Sequence, residues 1–137
     1  MAILVVDCSV TVSWLFREEF NEFSERVLDE VIAGQAVEPM IWPLEVANVM
    51  LSAERRGRIT QAECAHFLSQ LSELSIDVST MAQQQVADEL VALARETGTT
   101  VYDAGYLELA ARLGVPLATL DRRLSEAATQ IGVALYS

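Results

Sequence analysis

Short apolar runs alternate with longer amphipathic stretches along the chain, and this alternation restricts the possible folds more than any other feature. The first run, residues 3–6, is apolar at every position, which is typical of a strand buried on both faces of a sheet. The longer stretches carry apolar residues at helical spacing, and several of them end at a glycine. Strands that alternate with helices indicate a mostly parallel sheet covered on both faces. We therefore predict an α/β fold, a three-layer α/β/α sandwich with a short-stranded, mostly parallel central sheet.

The same pattern predicts the individual elements. Strands are expected at 3–6, 117–120 and 133–136, with a short extended piece at 36–38 and a short strand candidate at 76–78. Helices are expected at 9–16, 20–33, 44–56, 82–96, 101–113 and 122–130. A further helix opens with a capping box formed by Thr60 and Glu63. The chain has 137 residues and shows no linker or repeat, so we expect one domain over residues 1–137.

Charge and composition exclude several classes of protein. The net charge of -11 argues against a broad basic surface for nucleic acid. All nine basic residues are arginine, so lysine-dependent sites such as Walker loops, Schiff-base enzymes and the aspartate sites of haloacid dehalogenases are excluded. No apolar run approaches the roughly 18 residues that span a bilayer. The opening at Met1 has no basic leader, so we expect a cytoplasmic protein without membrane contact.

The cysteines and the histidine do not form a recognisable site. Cys8 and Cys64 lie too far apart for a zinc spacing, and we expect both to be small buried thiols. His66 is the only histidine, which excludes a pair of histidine ligands and argues against a Ser–His triad. We expect it on a helix surface or packed among neighbours.

Four carboxylates occupy positions at which surface charge is not the natural choice. Asp7 and Asp121 directly follow predicted strands, while Glu45 and Asp103 stand in the first turns of predicted helices. The carboxyl ends of parallel strands meet at one edge of a sheet, where ligands collect. Each acid also has a simpler interpretation. Asp7 and Asp121 suit helix N-caps, Asp103 fits a capping box with Thr100, and Glu45 complements a helix dipole.

Four converging carboxylates would raise one another's pKa values, and a hard divalent cation is the simplest remedy. Mg²⁺ or Mn²⁺ prefers such oxygens and commonly serves phosphate substrates, where it polarises a phosphoryl oxygen and activates water. This chemistry needs neither lysine nor histidine.

Four segments contain these acids and their neighbours: VVDCS at 5–9, PLEVANV at 43–49, YDAGYLELA at 102–110 and TLDRRL at 119–124. Together they resemble the PIN-domain ribonucleases, and among them the VapC toxins of toxin–antitoxin pairs. The resemblance implies a PIN-like fold and a metal-binding, catalytic cluster of Asp7, Glu45, Asp103 and Asp121. It also implies supporting roles for Ser9 and Thr119.

The implied activity is Mg²⁺- or Mn²⁺-dependent cleavage of RNA with one or two ions, leaving a 5′-phosphate and a 3′-hydroxyl. The implied partners are a VapB-like antitoxin, whose C-terminal segment lies over the active site, and a second copy in a homodimer. The acidic surface favours a small structured RNA such as a tRNA loop, with rRNA as the other expected target.

Further features bear on partners. Arg122 and Arg123 either hold the RNA backbone or are simply solvated. The aromatic cluster of Trp14, Phe16, Phe20 and Phe23 serves either as core or as a groove for an antitoxin helix. Gly105, inside a predicted helix, suggests close approach of another backbone.

Two functions of other classes remain open at this stage. The chain can be a PIN-fold module that binds a partner or RNA without cutting it. It can also be a metal-dependent phosphoesterase that acts on small substrates.

Overall fold

The computed structural model describes residues 3–137. Met1 and Ala2 lie outside the described residues, and the expectation that the sequence opens without a basic leader partly concerns them. The strands are β1 (Ile3–Val6), β2 (Gln35–Pro39), β3 (Ile76–Ser79) and β4 (Leu117–Ala118). The helices are α1 (Cys8–Ser13), α2 (Glu22–Ala33), α3 (Trp42–Arg55), α4 (Gln61–Ser72), α5 (Gln83–Gln85), α6 (Val91–Thr97), α7 (Val101–Leu113) and α8 (Arg122–Gln130).

The sheet has the strand order β3-β2-β1-β4, and all its pairs are parallel. Val5 of β1 packs in a core with Met50 of α3 and Leu107 of α7 on one face of the sheet. Leu4, its neighbour along the strand, points to the other face and packs with Val27 of α2. Adjacent strand residues face opposite sides, so helices cover both faces. The predicted α/β/α sandwich is confirmed.

The central strands separate towards their carboxyl ends. Pairing between β1 and β2 ends at Leu4 and Ala36. Pairing between β2 and β3 continues to Pro39 and Ser79. Beyond Leu4, β1 pairs instead with β4 on its other side. A gap therefore opens between β1 and β2 after Leu4, along the last two residues of β1.

The last two predicted strands are shorter in the structure than the sequence suggests. Strand β4 ends at Ala118 because side chains take over the next backbone donors: the Leu120 N–H donates to Ser9 Oγ at 2.9 Å, and the Asp121 N–H to Thr119 Oγ1 at 2.9 Å. The predicted strand 133–136 is reduced to one parallel bridge between Leu117 and Leu135, since the two-residue β4 offers it little edge.

The helices agree closely with prediction, and two are confirmed to the residue, 101–113 and 122–130. The capping box of α4 is also confirmed: Thr60 Oγ1 accepts the Glu63 N–H at 3.1 Å, and Glu63 accepts the Thr60 N–H at 3.0 Å. The predicted helix 82–96 contains an unexpected π-helical turn, Val86–Leu90, between α5 and α6. Within residues 3–137, no helix has both the length and the apolar character needed to cross a membrane.

The aromatic cluster near the first helices packs mainly into the core. Phe16 is buried, and Trp14 and Phe23 are partly buried, the Trp14 indole N–H donating to the Ser24 carbonyl at 3.0 Å. Phe20 is 39% exposed. Core packing therefore accounts for three of the four side chains.

The cysteines and histidine occupy less buried positions. Cys8 and Cys64 are half-buried, which corrects the expectation of buried thiols, because both stand in the first turns of helices at the rim of the core. His66 is exposed on α4, one of its two predicted positions.

Candidate active site

The carboxyl ends of β1 and β4 form the centre of the candidate site. The chain runs from β1 to β2 and β3 on one side, and then crosses to β4 on the other side of β1. Such a switch point is where open parallel sheets bind ligands. Asp7 directly follows β1, and Asp121 lies beyond the end of β4.

Asp7 is buried at this edge, with 4% of its surface exposed. Its Oδ1 accepts the Ser9 hydroxyl at 2.7 Å and the Val10 N–H at 3.1 Å, and its Oδ2 accepts the Thr119 hydroxyl. Burial raises the pKa of Asp7 to about 6 although these donors lower it, and the charge of Asp121 adds to the rise. Asp7 is thus a carboxylate whose ionised form is poorly stabilised by its surroundings.

The hydroxyls of Ser9 and Thr119 join the ends of β1 and β4. Each donates to one oxygen of Asp7, and each accepts a backbone N–H from the segment that follows β4. Ser9 accepts from Leu120, and Thr119 accepts from Asp121. Both hydroxyls therefore orient the Asp7 side chain relative to Asp121.

The interpretation of Asp7 and Asp121 as helix caps is also correct. Asp7 is the N-cap of α1, and Asp121 is the N-cap of α8. The capping bonds use Oδ1 in both residues, and Asp121 Oδ1 accepts the Arg123 N–H at 2.8 Å and the Leu124 N–H at 3.2 Å. Capping therefore orients each carboxylate without using its second oxygen, and it does not exclude a role in the site.

Glu45 and Asp103 stand in the first turns of α3 and α7. The Tyr106 hydroxyl donates to Glu45 Oε1 at 2.6 Å, and the Asp103 N–H donates to Thr100 Oγ1 at 3.0 Å. Burial raises the pKa of both carboxylates. The charge of Asp103 raises the pKa of Glu45 further, and the charge of Asp121 does the same to Asp103.

Charge repulsion therefore connects all four predicted acids, in the order Asp7, Asp121, Asp103 and Glu45. Within residues 3–137, no three His, Cys, Asp or Glu side chains are already arranged to hold a metal ion. The residue types nevertheless fit a hard divalent cation, since carboxylate and hydroxyl oxygens are its preferred ligands. A bound cation would also stabilise the ionised forms of carboxylates whose pKa values are raised by burial and, to a smaller extent, by mutual repulsion.

Sequence reasoning missed two residues that lie at the site, Glu38 and Tyr106. Glu38, in β2, is 1% exposed; its Oε1 accepts the Val6 N–H at 3.3 Å, and its Oε2 is buried with no hydrogen-bond partner. Burial and the charge of Asp7 raise the pKa of Glu38 well above its usual range. Glu38 lies near the carboxyl end of a strand, and a position of that kind is what identified Asp7 as a candidate site residue from the sequence. Tyr106 gave no such signal, because an aromatic residue within a helix is ordinarily read as core.

The two arginines that follow Asp121 differ in their surroundings. Arg122 is highly exposed, and its Nε contacts Glu126 Oε1 one turn along α8 at 3.2 Å. The charge of Arg123 lowers the pKa of Asp103, so Arg123 lies on the side of the acids. Arg123 therefore acts electrostatically on Asp103, whereas Arg122 is paired with Glu126.

Gly105 of α7 has ordinary surroundings within the chain. A methyl group in place of its hydrogen would lie 3.6 Å from the Pro39 Cβ, a normal contact distance. Packing inside the chain therefore does not require glycine here, and the expected approach of another backbone stays a prediction.

Comparison with known proteins agrees with this geometry. The family model of the PIN domain matches residues 4–130. Ribonuclease VapC3 of Pyrobaculum aerophilum is 34% identical over 123 residues, which are 90% of this chain and 92% of the relative.

Solved structures with lower identity share the fold. PAE2754 from Pyrobaculum aerophilum has a TM-score of 0.73 at 24% identity, covering 98% of this chain and 88% of that one. FitAcB from Neisseria gonorrhoeae has a TM-score of 0.66 at 17% identity, covering 98% and 96%. A toxin–antitoxin complex from Klebsiella pneumoniae has a TM-score of 0.54 at 22% identity, covering 88% and 87%. With its parallel sheet, its acids at the switch point and these relatives, the chain belongs to the PIN-domain family and is VapC-like.

Proposed function

We propose that this protein is a divalent-cation-dependent endoribonuclease, the toxin of a VapBC-type toxin–antitoxin pair in the cytoplasm. Its substrate is RNA, with tRNA or rRNA as the expected target, and its products carry a 5′-phosphate and a 3′-hydroxyl. The observation that carries the proposal is the hydrogen-bonded arrangement at the sheet's switch point, where Ser9 and Thr119 link the Asp7 carboxylate to the segment of Asp121. The charges of Asp121 and Asp103 raise the pKa values of neighbouring acids, which supports placing Glu45 and Asp103 at the same site. The 34% identity to a VapC ribonuclease supports the proposal.

In this proposal the four acids hold one or two Mg²⁺ or Mn²⁺ ions. When bound, such an ion polarises a phosphoryl oxygen and makes water a better nucleophile at neutral pH. Ser9 and Thr119 fix the two oxygens of Asp7, and the Tyr106 hydroxyl fixes Oε1 of Glu45. Arg123 binds a phosphate of the RNA backbone in this proposal, which its electrostatic influence on Asp103 supports.

The proposed protein partners are a VapB-like antitoxin and a second copy of the chain. An apolar cleft of about 350 Å³ lies near two of the acids, because its lining includes Leu44 and Tyr102, which precede Glu45 and Asp103 in the sequence. Leu44 is 66% exposed and Tyr102 is 58% exposed. Apolar surface of this kind is typical of an interaction site, and it supports partner binding next to the acids.

The test is cleavage of end-labelled tRNA and rRNA fragments by the purified protein. We expect cleavage with Mg²⁺ or Mn²⁺, no cleavage with EDTA, and a 5′-phosphate at each new end. Asp7→Asn should abolish cleavage without loss of fold, because asparagine caps a helix as well as aspartate does. Asp29→Asn, which removes a charge from an exposed position of α2, is the matched control and should cleave normally.

Each alternative function predicts a different result. Hydrolysis of a small phosphate ester without RNA cleavage would identify a phosphoesterase. RNA binding without cleavage under every cation condition would identify a non-catalytic module. Equal activity of the Asp7→Asn variant and the wild type would refute the proposed site.

A further inference from the structure

The gap between β1 and β2 contains a side chain that no part of the proposed mechanism uses. Val6 is the last residue of β1, and it lies beyond the point at which pairing with β2 ends. Its N–H donates to Glu38 Oε1 at 3.3 Å. The Glu38 side chain thus takes the place of a backbone acceptor at the end of β1.

This hydrogen bond lies one residue before Asp7. On the other side of β1, the Asp7 N–H donates to the Ala118 carbonyl at 3.0 Å. The end of β1 is therefore held from both sides, by the backbone of β4 and by the side chain of Glu38. Because the Asp7 carboxylate follows at once, its position depends on both attachments.

The burial of Glu38 indicates which property of the side chain matters. The residue is 1% exposed, and its Oε2 is buried without a partner. An ionised carboxylate so deep in the protein, with one oxygen lacking a hydrogen-bond partner, carries a large desolvation cost. The observations therefore favour an uncharged side chain that acts through its acceptor oxygen.

We infer that Glu38 is a positioning residue of the active site, which holds the end of β1 through the Val6 N–H and so orients Asp7 towards a divalent cation. This inference rests on the proposed function, since it gives Asp7 a cation to bind. Glu38 itself does not touch the substrate.

The experiment compares variants of the full chain by their affinity for Mn²⁺ alone, measured calorimetrically where every variant is folded. Glu38→Leu removes the acceptor at similar volume, and we expect its Kd to rise about tenfold or more, as when a partner of a metal ligand is lost. Glu38→Gln keeps a neutral acceptor oxygen and should bind Mn²⁺ like the wild type. Val31→Ala removes buried volume from the core that contains Val6, and so controls for general destabilisation. This variant should also bind Mn²⁺ normally.

Amide hydrogen exchange provides a second measurement that needs no metal. In Glu38→Leu, exchange should accelerate at Val6, Asp7 and Val10 more than in the rest of the sheet. In Glu38→Gln and Val31→Ala, these three amides should keep their protection relative to the rest of the sheet.

The outcomes separate this inference from the proposed function. A folded Glu38→Leu variant with wild-type Kd would overturn the role of Glu38 while leaving the function intact. Equal loss in Glu38→Gln and Glu38→Leu would also overturn it, since negative charge would then be the property that matters. If Val31→Ala loses as much affinity for Mn²⁺ as Glu38→Leu, the effect is one of general stability and the inference is overturned. If the wild type binds no Mn²⁺, the proposed function fails, and the role of Glu38 fails with it.

Discussion

The Thr119 hydroxyl donates a hydrogen bond to Oδ2 of Asp7, across 112 positions of the chain. The same hydroxyl accepts the N–H of Asp121 at 2.9 Å. One side chain therefore links the carboxylate that follows β1 to the backbone of the aspartate that follows β4.

Thr119→Val should disturb the site while keeping the shape of the side chain. It removes the donor to Asp7 and leaves the Asp121 N–H without its acceptor. We expect RNA cleavage to fall about tenfold or more, as for other partners of metal ligands. Stability should fall by about 1 kcal/mol, the net value of a typical hydrogen bond. Initial cleavage rates and urea unfolding measure the two effects.

Thr119→Ser is the control for this prediction, because it retains the hydroxyl. It should keep most of the wild-type rate. If the serine and valine variants lose activity equally, the methyl group matters and the hydrogen bonds do not.

The stability of the cation-free protein should decrease as pH rises from about 4 to about 6. Burial raises the pKa of Asp7 from 3.8 to about 6, so the folded state binds more protons than the unfolded state in this window. The contribution of protonated Asp7 is complete below pH 4 and lost above pH 6. Its size is about 3 kcal/mol as an order of magnitude. Urea unfolding in EDTA across this range measures it.

Asp7→Asn isolates the contribution of this residue. The variant should show a shallower decline over the same pH range and should be at least as stable as the wild type at neutral pH without cations. Added Mn²⁺ should raise the Tm of the wild type and leave that of the variant unchanged. Identical pH profiles of the two proteins would show that Asp7 titrates normally.

Tyr106→Phe should change the pH dependence of cleavage. The Tyr106 hydroxyl lowers the pKa of Glu45, a carboxylate whose pKa burial raises. Without it the pKa of Glu45 should rise further, so that more of Glu45 is protonated at a given pH. We expect the acidic limb of the kcat/KM profile to move to higher pH, with a smaller change at the alkaline end. An unmoved acidic limb would show that Glu45 does not need to be ionised.

Arg123→Glu should weaken RNA binding more than Arg122→Glu. Arg123 acts electrostatically on Asp103, whereas Arg122 is highly exposed and paired with Glu126. Both substitutions change the net charge equally, so each serves as the control for the other. Filter binding of labelled tRNA with a catalytically inactive Asp7→Asn background measures the affinities. Equal weakening would mean that only overall charge matters, and no weakening would exclude both arginines from RNA binding.

Much of the fold follows from local patterns in the sequence. Helices α2, α6 and α7 end directly before a glycine, and the bounds of α7 and α8 are predicted without error. The edge that carries Asp7 and Asp121 also follows from the pattern, because a residue that directly follows a parallel strand lies at the carboxyl end of the sheet. These properties depend on neighbours along the chain.

The remaining features depend on contacts between distant segments. Whether Glu38 faces solvent or the interior is decided by the separation of β1 from β2, which no local pattern reports. The sequence around Tyr106 predicts an aromatic residue of the core, because its hydrogen-bond partner Glu45 lies 61 positions away. The early end of β4 results from the hydroxyls of Ser9 and Thr119, which bind backbone donors that a strand would otherwise use. Asp7 is both a helix cap, through Oδ1, and a partner of Thr119 at the end of β4, through Oδ2. These two roles can likewise be distinguished only in the three-dimensional structure.

The joining of the first strand to the last has a consequence for the protein as it is synthesised. Thr119 is translated 112 positions after Asp7, and Asp121 follows it. A nascent chain that has not reached Thr119 therefore lacks the hydrogen bond to Oδ2 of Asp7 and the residue that caps α8. The edge of the sheet that carries these acids is thus assembled only after β4 has been translated.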